Sequence, residues 1–370
     1  MKQIFARLGE VDLFDVDEPD LRRGEVLVET AYSAISSGTE LGIIEKSRDP
    51  DHRSQEYPPD PPAWPKIRGG PQLDHPMPVA APHGYHALGY SLSGRVLAVD
   101  DSVTDVAPGD LVACSGSQCA HHAERVAVPR NLVAKLPEGV ALRDAAFVTL
   151  GGVATESLRQ TACTFGETLV LYGVGLLGLI AGQIGRAAGL RVIGIDIDLA
   201  RVEQAGRFGF DHAFDPRRLD PVEEVERLTD GFGADGVVLG IVSSDSEPLN
   251  QCFEMARQRA RIVGLGVFGW EIERARFFQK QVSLHSVRAY GPGRYDPVYE
   301  EGGVDYPIGW VRWTENRNQA FFLDLLRRGQ VEVAELAPTT VPFERAPDAY
   351  ALLGTPDRPA TIVLDYGRDG

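Results

Sequence analysis

The chain has 370 residues, a formal net charge of −16 and a hydrophobic fraction of 43%, so it is long enough for two domains of ordinary size. Its acidic balance disfavours nucleic acids and anionic membrane surfaces as partners, because both carry negative charge. The sequence has no apolar run of secretory or membrane-spanning length and only four cysteines, which together favour a cytoplasmic protein without a disulfide scaffold.

The first part of the chain is predicted to be rich in β-strands. Residues 25–32 alternate apolar and polar side chains, as a half-buried strand does, and the pattern continues in 91–99 and 110–113. Ten prolines lie between Pro50 and Pro82, a density that excludes regular helix or sheet. This stretch is predicted to be extended, either as a surface loop or as a wall over a cleft.

From Thr168 onward, short apolar strands alternate with helical segments. The sequence predicts helices at 176–188, 221–229, 248–256 and 319–328, and strands at 168–172, 191–196, 236–240, 260–266, 282–289 and 360–365. Such alternation predicts an α/β fold with a parallel, doubly wound sheet.

A G-x-G-x-x-G motif, Gly173-Val174-Gly175-Leu176-Leu177-Gly178, directly follows a predicted strand and opens a predicted helix. Gly173 permits the tight turn, Gly175 lets the backbone approach a pyrophosphate, and Gly178 lets helix and strand pack closely. Backbone N–H groups at the helix N-terminus, where Leu176 and Leu177 lie, then donate to the anion. The motif in this context predicts a dinucleotide site.

Asp196 follows the second strand of this unit and predicts which dinucleotide binds. A carboxylate there accepts hydrogen bonds from the ribose hydroxyls and repels a 2′-phosphate, so the sequence favours NAD over NADP. Arg201 either flanks the adenosine or is a solvated helix residue. Three glycines near the ends of later strands, Gly240, Gly264 and Gly266, complete the predicted cofactor site.

The order of β-rich region, Pro-Gly-Asp turn, dinucleotide motif and return segment resembles the medium-chain dehydrogenase/reductase superfamily, the alcohol dehydrogenase-like enzymes. The resemblance covers nearly the whole chain. It implies a GroES-like catalytic domain, residues 1–150 and 291–370, and a Rossmann NAD-binding domain, residues 151–290. It also implies a small-molecule substrate and a homodimer formed through the last Rossmann strand.

Zinc-dependent members carry a Cys-Gly-Thr-Asp-like tetrad and a Gly-His-Glu, which supply two metal ligands. This sequence has Ser37-Gly38-Thr39-Glu40 and Gly89-Tyr90-Ser91 there, and no Cys or His occurs from Ala123 to Ala162, where a third ligand is expected. Catalytic zinc needs three protein ligands, so we expect an enzyme without metal. Four further residues are either a replacement metal site or ordinary core and domain-edge residues: Cys114, Cys119, His121 and His122.

Without zinc, hydride transfer needs a hydrogen-bond donor or a general acid at the substrate oxygen. Tyr90, which stands where a ligand histidine would be, is the first candidate. Thr39 could relay the proton, and Glu40 could orient Thr39 or act as the base. Ser37, in the position of the ligand cysteine, completes the candidate catalytic set.

A closer resemblance is to a zinc-free subgroup marked by Ser-x-Gly-Thr-Glu and by a block that contains YGPGRYDP, here residues 286–318. This subgroup is related to bacteriochlorophyllide dehydrogenase-like and sugar-pathway oxidoreductases. Aromatic faces and guanidinium groups suit a sugar, a cyclitol or another polyhydroxylated ligand. The predicted substrate-binding residues are Arg294, Tyr295, Tyr290 and Trp310, and the block could instead be interdomain structure.

Two other functions stay open at this point. One is a zinc-free enone- or quinone-type reductase, although relatives of that kind usually prefer NADPH and Asp196 opposes this cofactor. The other is a non-enzymatic NAD-binding protein. We rank the secondary alcohol and ketone reaction first.

Overall fold

The computed structural model describes residues 1–49, 84–287, 289–355 and 358–368. The proline-rich stretch 50–82, predicted to be extended, lies outside these residues. Within the described ranges the strands are β1 (Lys2–Arg7), β2 (Glu10–Asp15), β3 (Glu25–Ala34), β4 (His86–Ala87), β5 (Ser91–Val99), β6 (Leu111–Ser115), β7 (Arg125–Pro129), β8 (Val133–Lys135), β9 (Thr168–Tyr172), β10 (Arg191–Ile195), β11 (His212–Phe214), β12 (Ala234–Leu239), β13 (Ala256–Gly264), β14 (Ser283–Ser286), β15 (Thr340–Pro342) and β16 (Val363–Asp365).

Helices connect these strands along most of the chain. They are α1 (Ser37–Lys46), α2 (Leu142–Ala145), α3 (Val148–Thr161), α4 (Leu176–Ala187), α5 (Leu199–Arg207), α6 (Pro221–Leu228), α7 (Glu247–Met255), α8 (Arg274–Gln279), α9 (Pro297–Glu300), α10 (Glu315–Arg327) and α11 (Ala346–Leu353). Among the residues that the structure describes, none of the helices combines the length and the apolar character that crossing a bilayer requires.

The chain divides into two compact units. The first comprises Met1–Thr149, Gly293–Asn316 and Ala334–Gly370, and the second comprises Leu150–Pro292 and Arg317–Val333. The expected domain limits differ from this division chiefly at 317–333, which we assigned to the first domain. Most of α10 lies in this segment, and Gly151 of α3 packs directly against Phe322 of α10, so the segment belongs to the second unit.

The first unit is built on two sheets. Strands β2, β1 and β4 form a small antiparallel sheet, and a larger sheet runs in the order β15-β16-β3-β5-β6-β8, with β7 also paired to β3. The predicted strand at 91–99 is found with those limits, and the strand predicted at 25–32 extends to Ala34. A buried cluster that includes Ile4, Ile35 and Leu88 packs against α11.

The second unit is one parallel sheet with helices between its strands. The strand order is β11-β10-β9-β12-β13-β14, and every pairing is parallel. This is the strand order of a dinucleotide-binding fold. From β9 the sheet is built outward first through β10 and β11 and then, on the other side, through β12, β13 and β14. The predicted α/β class with a doubly wound sheet is confirmed.

Local sequence explains where the helices of this sheet begin. Asp198 accepts a hydrogen bond from the N–H of Ala200 at the start of α5, and Asp220 accepts from Val222 at the start of α6, where Pro221 is the first helical residue. Both are favoured N-terminal arrangements.

The predicted limits of the strands and helices agree with the structure to within a few residues. The two larger differences are that β14 is shorter than 282–289 and that α10 begins at Glu315.

Candidate active site

The glycine-rich turn after β9 leaves no room for side chains. Gly173 has a φ of 106°, and a Cβ built on it would lie 2.5 Å from the carbonyl oxygen of Gly240. A Cβ on Gly178 would lie 2.2 Å from the carbonyl oxygen of Gly173. Both positions therefore require glycine, as the motif predicts.

The first turn of α4 presents its backbone donors as predicted. Gly175 is the N-cap residue and has no side chain to occupy the N–H groups that follow it, where Leu176 and Leu177 lie half-buried. This helix N-terminus stands at the carboxyl end of β9, where the strand order reverses. Its backbone fits the pyrophosphate of a dinucleotide.

Asp196 is held against the glycine-rich turn and is only 6% exposed. Its Oδ2 accepts a hydrogen bond from the backbone N–H of Val174 at 2.9 Å, and its Oδ1 accepts from Asp198 at 2.9 Å. Nη1 of Arg201 lies 3.7 Å from Asp196 Oδ2. A carboxylate has about four acceptor positions, so these contacts leave room for ribose hydroxyls.

A second arginine, Arg217, also lies at this carboxyl end of the sheet. Arg217 pairs with Asp215 and donates to the carbonyl oxygen of Ile197. Hydrogen bonds from Arg217 lower the pKa of the Asp215 carboxyl. No motif in the sequence indicates Arg217, because it follows β11, a short strand that the sequence does not predict.

The three later glycines have different surroundings. Gly240 is exposed and follows β12, where its N–H donates to the carbonyl oxygen of Tyr172. A Cβ on Gly264 would lie 2.8 Å from Phe268, and one on Gly266 would lie 2.0 Å from the carbonyl oxygen of Ile241. These contacts make Gly264 and Gly266 packing positions between strand ends.

Apolar side chains at the same edge of the sheet are exposed, although no pattern in the sequence indicates it. Ile197 is 59% exposed, Val242 85% and Val267 70%. Each follows a strand of the parallel sheet by two or three residues. They are available to contact the rings of a bound dinucleotide.

In the first unit, the tetrad Ser37–Glu40 forms the first turn of α1. Ser37 Oγ donates to the carbonyl oxygen of Ala360 at 2.9 Å, and Thr39 is exposed. Glu40 is completely buried. The tetrad therefore brings an exposed hydroxyl and a buried carboxylate to one helix end.

Three donors occupy the Glu40 carboxylate. Oε1 accepts from the backbone N–H of Ser36 at 2.8 Å, and Oε2 accepts from His122 Nε2 at 3.1 Å and from the Tyr350 hydroxyl at 2.5 Å. Burial and the neighbouring Glu40 charge raise the pKa of Tyr350 well above its ordinary value, so its hydroxyl remains a donor. These contacts favour an orienting role for Glu40 over that of a base, and both roles stay predictions.

His122 continues this network on its other side. Its Nδ1 lies 2.7 Å from Ser33 Oγ, which lies 3.1 Å from the Tyr366 hydroxyl. His122 and Ser33 are completely buried. Of the two expectations for His122, a metal ligand or a core or domain-edge residue, its burial favours a core residue, and the flanking alanines, Ala120 and Ala123, are buried with it.

Tyr90 is half-buried and its backbone is fixed on both sides. Its carbonyl oxygen accepts from the Gly116 N–H at 3.1 Å and from Thr149 Oγ1 at 2.8 Å. Gly89, immediately before it, has a φ of 93°. The structure therefore holds the Tyr90 backbone in one defined place within the first unit.

The side chains at the family's metal positions do not fit a zinc ion. The Ser37 hydroxyl is hydrogen-bonded to a carbonyl oxygen, and the nearby Glu40 carboxylate is occupied by three donors. Within the described residues, no three His, Cys, Asp or Glu side chains are grouped in a way that could hold a metal ion.

The alternative site of Cys114, Cys119, His121 and His122 is not assembled in this structure. His121 Nε2 lies 2.9 Å from the carbonyl oxygen of Ser117, and both ring nitrogens of His122 have partners. Burial raises the pKa of the Cys114 and Cys119 thiols and lowers that of His121 to about 4.

The predicted substrate residues do not form one exposed surface. Tyr290 is 5% exposed, lies in the second unit, and its carbonyl oxygen accepts from Asn318. The Arg294 guanidinium is 4% exposed, donates to Glu300 at 2.6 Å and to Ser117 at 3.0 Å, and stacks on Tyr295. Tyr290 and Arg294 are thus buried in this structure, and their contact with a ligand stays a prediction.

Tyr295 and Trp310 are more accessible. Trp310 is 89% exposed, and Tyr295 is half-buried with a φ of 68°, a left-handed conformation that few residues with a side chain adopt. The two aromatic rings lie in the first unit.

A buried acidic group accompanies Arg294. Glu315 is completely buried, and among the described residues neither of its carboxylate oxygens has a hydrogen-bond partner. Burial raises the pKa of Glu315 well above its ordinary value, the Glu300 charge raises it further, and Arg294 acts in the opposite direction. The fold therefore favours the protonated form of Glu315 more than water does.

Comparison with known proteins places this fold and these motifs among dehydrogenases. A family model for zinc-binding dehydrogenases matches residues 177–303. The chain is 25% identical over 364 residues to D-guloside 3-dehydrogenase of Escherichia coli (strain K12), covering 95% of each. It is 28% identical over 233 residues to an NAD-dependent alcohol dehydrogenase of Sulfurisphaera tokodaii, covering 55% of this chain and 66% of the relative.

A solved structure agrees with the whole fold. Galactitol-1-phosphate dehydrogenase from Escherichia coli matches with a TM-score of 0.76 and 18% identity, covering 99% of this chain and 100% of that chain. This likeness confirms the predicted combination of a GroES-like region and a Rossmann sheet. The cofactor predicted from Asp196 agrees with the one named for the Sulfurisphaera relative. Together, the fold, the glycine-rich turn and these relatives indicate a dehydrogenase, similar to the medium-chain, alcohol dehydrogenase-like enzymes.

Proposed function

We propose that this enzyme transfers a hydride between NAD(H) and a secondary alcohol or ketone on a sugar, a cyclitol or another polyhydroxylated substrate, without a catalytic zinc ion. The observation that carries the proposal is the Gly173–Gly178 turn at the reversal of the sheet, with Asp196 bonded to the backbone of Val174. A cytoplasmic homodimer is part of the same proposal.

The cofactor part rests on the space and charge around this turn. Gly173 and Gly178 permit the tight turn and the close packing of the helix, and the absence of a Cβ at Gly175 lets the backbone approach a pyrophosphate. The Asp196 carboxylate favours ribose hydroxyls over a 2′-phosphate, which would place two like charges together. Bound NAD supplies the hydride acceptor for the alcohol carbon.

The remaining chemistry is proton transfer. When the carbon loses a hydride, the alcohol oxygen must lose its proton, and in the reverse direction the carbonyl oxygen must gain one. Tyr90 is the proposed donor and acceptor at that oxygen, and the exposed Thr39 hydroxyl is the proposed relay. Ser37 and Glu40 support the turn of α1 that carries Thr39.

The substrate class is supported by a relative that matches along almost its whole length. That relative is named as a dehydrogenase of a guloside, which is a sugar derivative with several hydroxyl groups. In this chain, the exposed Trp310 ring offers an aromatic face of the kind on which sugar rings stack.

The independence from zinc is supported by the donor set. Zinc in a catalytic site takes three nitrogen, sulfur or carboxylate ligands from the protein. The hydroxyl groups of Ser37 and Tyr90 stand at two of the family's ligand positions, and the Ser37 hydroxyl is bonded to Ala360.

The decisive experiment measures turnover and metal content of the same preparation. The full chain is incubated with NAD or NADP and with a methyl hexopyranoside, an alditol, a cyclitol or a simple secondary alcohol, and the reduced nicotinamide is followed by absorbance. We expect NAD-dependent turnover of a polyhydroxylated substrate, little zinc by elemental analysis and no effect of chelators. Stoichiometric zinc would overturn the metal-free mechanism, and NADPH-dependent reduction of an enone or quinone alone would favour the reductase function.

A further inference from the structure

We propose that His122 is a positioning residue that fixes the first turn of α1, which carries Thr39, relative to the Gly89-Tyr90 segment. This inference rests on the proposed roles of Tyr90 and Thr39. No motif in the sequence pairs His122 with either of them, and the structure brings it into contact with both segments.

The imidazole ring holds the α1 side of this arrangement. Nε2 lies 3.1 Å from Glu40 Oε2, and the other oxygen of Glu40 accepts from the backbone N–H of Ser36 at 2.8 Å. The oxygens of the carboxylate are hydrogen-bond acceptors, so in this contact the ring donates through Nε2. His122 thus acts on the start of α1 through Glu40.

The same residue holds the Tyr90 side through its backbone and its ring. The N–H of His122 donates to the carbonyl oxygen of Leu88 at 2.8 Å. A Cβ built on Gly89 would lie 2.5 Å from the His122 backbone nitrogen and 2.8 Å from Cδ2 of its ring. The residue that precedes Tyr90 therefore lies directly against the imidazole.

The rest of the network prevents the ring from turning. Nδ1 lies 2.7 Å from Ser33 Oγ, so the ring is held from two opposite sides. His122, Ser33 and Glu40 are completely buried, which means that water cannot replace a lost partner. Losing one polar partner in such a place leaves another group unsatisfied and shifts the structure around it.

The geometry assigns an indirect role to His122. It has no exposed surface and no access to substrate, so it acts through Glu40 and Gly89. Displacing a catalytic group by about 1 Å can lower a rate by about 10²-fold. A loss of that size is what we expect when the two segments are no longer held together.

The test compares two substitutions of His122 in the full chain. His122→Phe keeps the ring and removes both nitrogens, whereas His122→Gln keeps an amide donor close to the position of Nε2. We expect His122→Phe to lower kcat by about 10²-fold with little change in the dissociation constant of NAD, and His122→Gln to restore most of that loss. The NAD site lies in the other unit and should not respond.

Ser47→Ala is the matched control for a loss of stability alone. The Ser47 hydroxyl is buried at the opposite end of α1, donates to the carbonyl oxygen of Ile44 and accepts from Gly9. It has no contact with the network. We expect Ser47→Ala to lower Tm while kcat stays near that of the wild type.

Two outcomes would overturn the inference. One is a folded His122→Phe variant with normal kcat, and the other is an equal loss of kcat in Ser47→Ala at the same loss of Tm. If His122→Phe does not fold, Tyr350→Phe removes one donor to Glu40 at almost constant volume and should give a smaller loss of kcat. An unchanged kcat in that folded variant would also count against the inference.

A readout that does not need turnover separates this inference from the proposed function. Hydrogen exchange should become faster in His122→Phe at the amides of the first turn of α1 and of 88–90, whereas Ser47→Ala should affect only the end of α1 and the amide of Gly9. If the wild type turns over no substrate but this exchange pattern is found, the proposed function fails while the structural role of His122 stands. Unchanged exchange at both segments would contradict the role itself.

Discussion

The backbone N–H of Val174 donates to Asp196 Oδ2 at 2.9 Å, so one carboxylate joins the glycine-rich turn to the end of the neighbouring strand. Asp196 is 6% exposed, and Nη1 of Arg201 lies 3.7 Å from it. The group expected to select the cofactor therefore also supports the turn that binds it, and a substitution there should affect both properties.

We expect the wild type to bind NAD more tightly than NADP by about tenfold or more, because a 2′-phosphate would meet the Asp196 charge. Asp196→Ala should weaken NAD binding and reduce the preference for NAD over NADP by about tenfold. This is the size expected when a hydrogen bond to a charged group is lost. Removing the carboxylate would also free Arg201 to pair with the 2′-phosphate. Fluorescence titration with both cofactors measures the ratio.

Asp211→Asn is the control for this substitution. Asp211 also accepts a backbone hydrogen bond, from Val192 at 2.7 Å, and pairs with Arg186 in the same unit. Its loss should lower Tm without changing the ratio of the two affinities. Equal binding of NAD and NADP by the wild type would contradict the role assigned to Asp196.

Two helical glycines of the second unit should respond in opposite ways to alanine. A Cβ on Gly178 would lie 2.2 Å from the carbonyl oxygen of Gly173, so Gly178→Ala should distort the turn and abolish tight NAD binding. Gly206 in α5 has nothing within 4 Å of such a Cβ, and Gly206→Ala should raise the free energy of unfolding by about 0.5–1 kcal/mol. Urea unfolding and NAD titration of both variants test this; normal NAD binding by Gly178→Ala would refute it.

The cofactor half of the site could be predicted because its information is local. The strand, the Gly173–Gly178 turn and α4 are consecutive in the chain, so their spacing and hydrophobic periodicity specify them together. Asp196 follows the next strand and falls beside the turn as soon as β9 and β10 pair in parallel.

The other half depends on contacts between distant parts of the chain. Glu40 meets His122 across 82 residues and Tyr350 across 310, and no local pattern connects them. Arg294 was expected to face a ligand because guanidinium groups suit polyhydroxylated ligands, but in the fold it is buried and bonded to Glu300 and Ser117. Composition predicted the residue types in this block and could not predict which of them are buried.

Glu315 should make the stability of the fold depend on pH. Burial raises the pKa of Glu315 in the folded state. Its contribution to the free energy of unfolding is therefore complete below the ordinary carboxyl pKa of about 4.3 and is lost as the pH rises through the raised pKa. Glu315→Gln removes the group that must ionise. It should raise the free energy of unfolding at neutral and alkaline pH by roughly 1–3 kcal/mol and flatten its pH dependence.

Urea unfolding between mildly acidic and alkaline pH checks this expectation. Glu344→Gln removes an exposed carboxylate from the same unit and should leave both the stability and its slope with pH nearly unchanged. A Glu315→Gln variant that is less stable than the wild type at alkaline pH would show that the Glu315 carboxylate has a stabilising partner.

The outer edge of the parallel sheet predicts self-association. Among the described strands, β14 pairs with β13 alone, which leaves its other edge open. An open edge strand pairs readily with another chain, and a second copy joined by a two-fold axis would continue the sheet. We expect a dimer by light scattering at micromolar concentration. A monomer at that concentration would contradict this prediction.

A proline on this edge tests whether β14 forms the contact. Val287 donates to the carbonyl oxygen of Gly264 in β13, so the N–H of the preceding residue, Ser286, points away from β13. Ser286→Pro should therefore leave the pairing of β13 and β14 intact and weaken the dimer. An unchanged dimer in this variant would place the interface elsewhere.

Tyr90→Phe tests the proposed catalytic group most directly. If the Tyr90 hydroxyl donates to the substrate oxygen, its removal should lower kcat by about 10²–10³-fold, as the loss of one positioned donor at a developing oxyanion does. NAD affinity should remain intact because the glycine-rich turn belongs to the other unit. Thr39→Val should give a smaller loss of kcat, and Glu40→Gln should shift the pH profile of kcat.

Tyr85→Phe is the control for this substitution. Tyr85 lies five residues before Tyr90, and its hydroxyl accepts a hydrogen bond from Arg7, so its loss should leave kcat near normal. Near-normal turnover by Tyr90→Phe, with only a small loss of Tm, would mean that Tyr90 packs where a metal ligand stands in relatives, and the acid would then have to be sought at Tyr295.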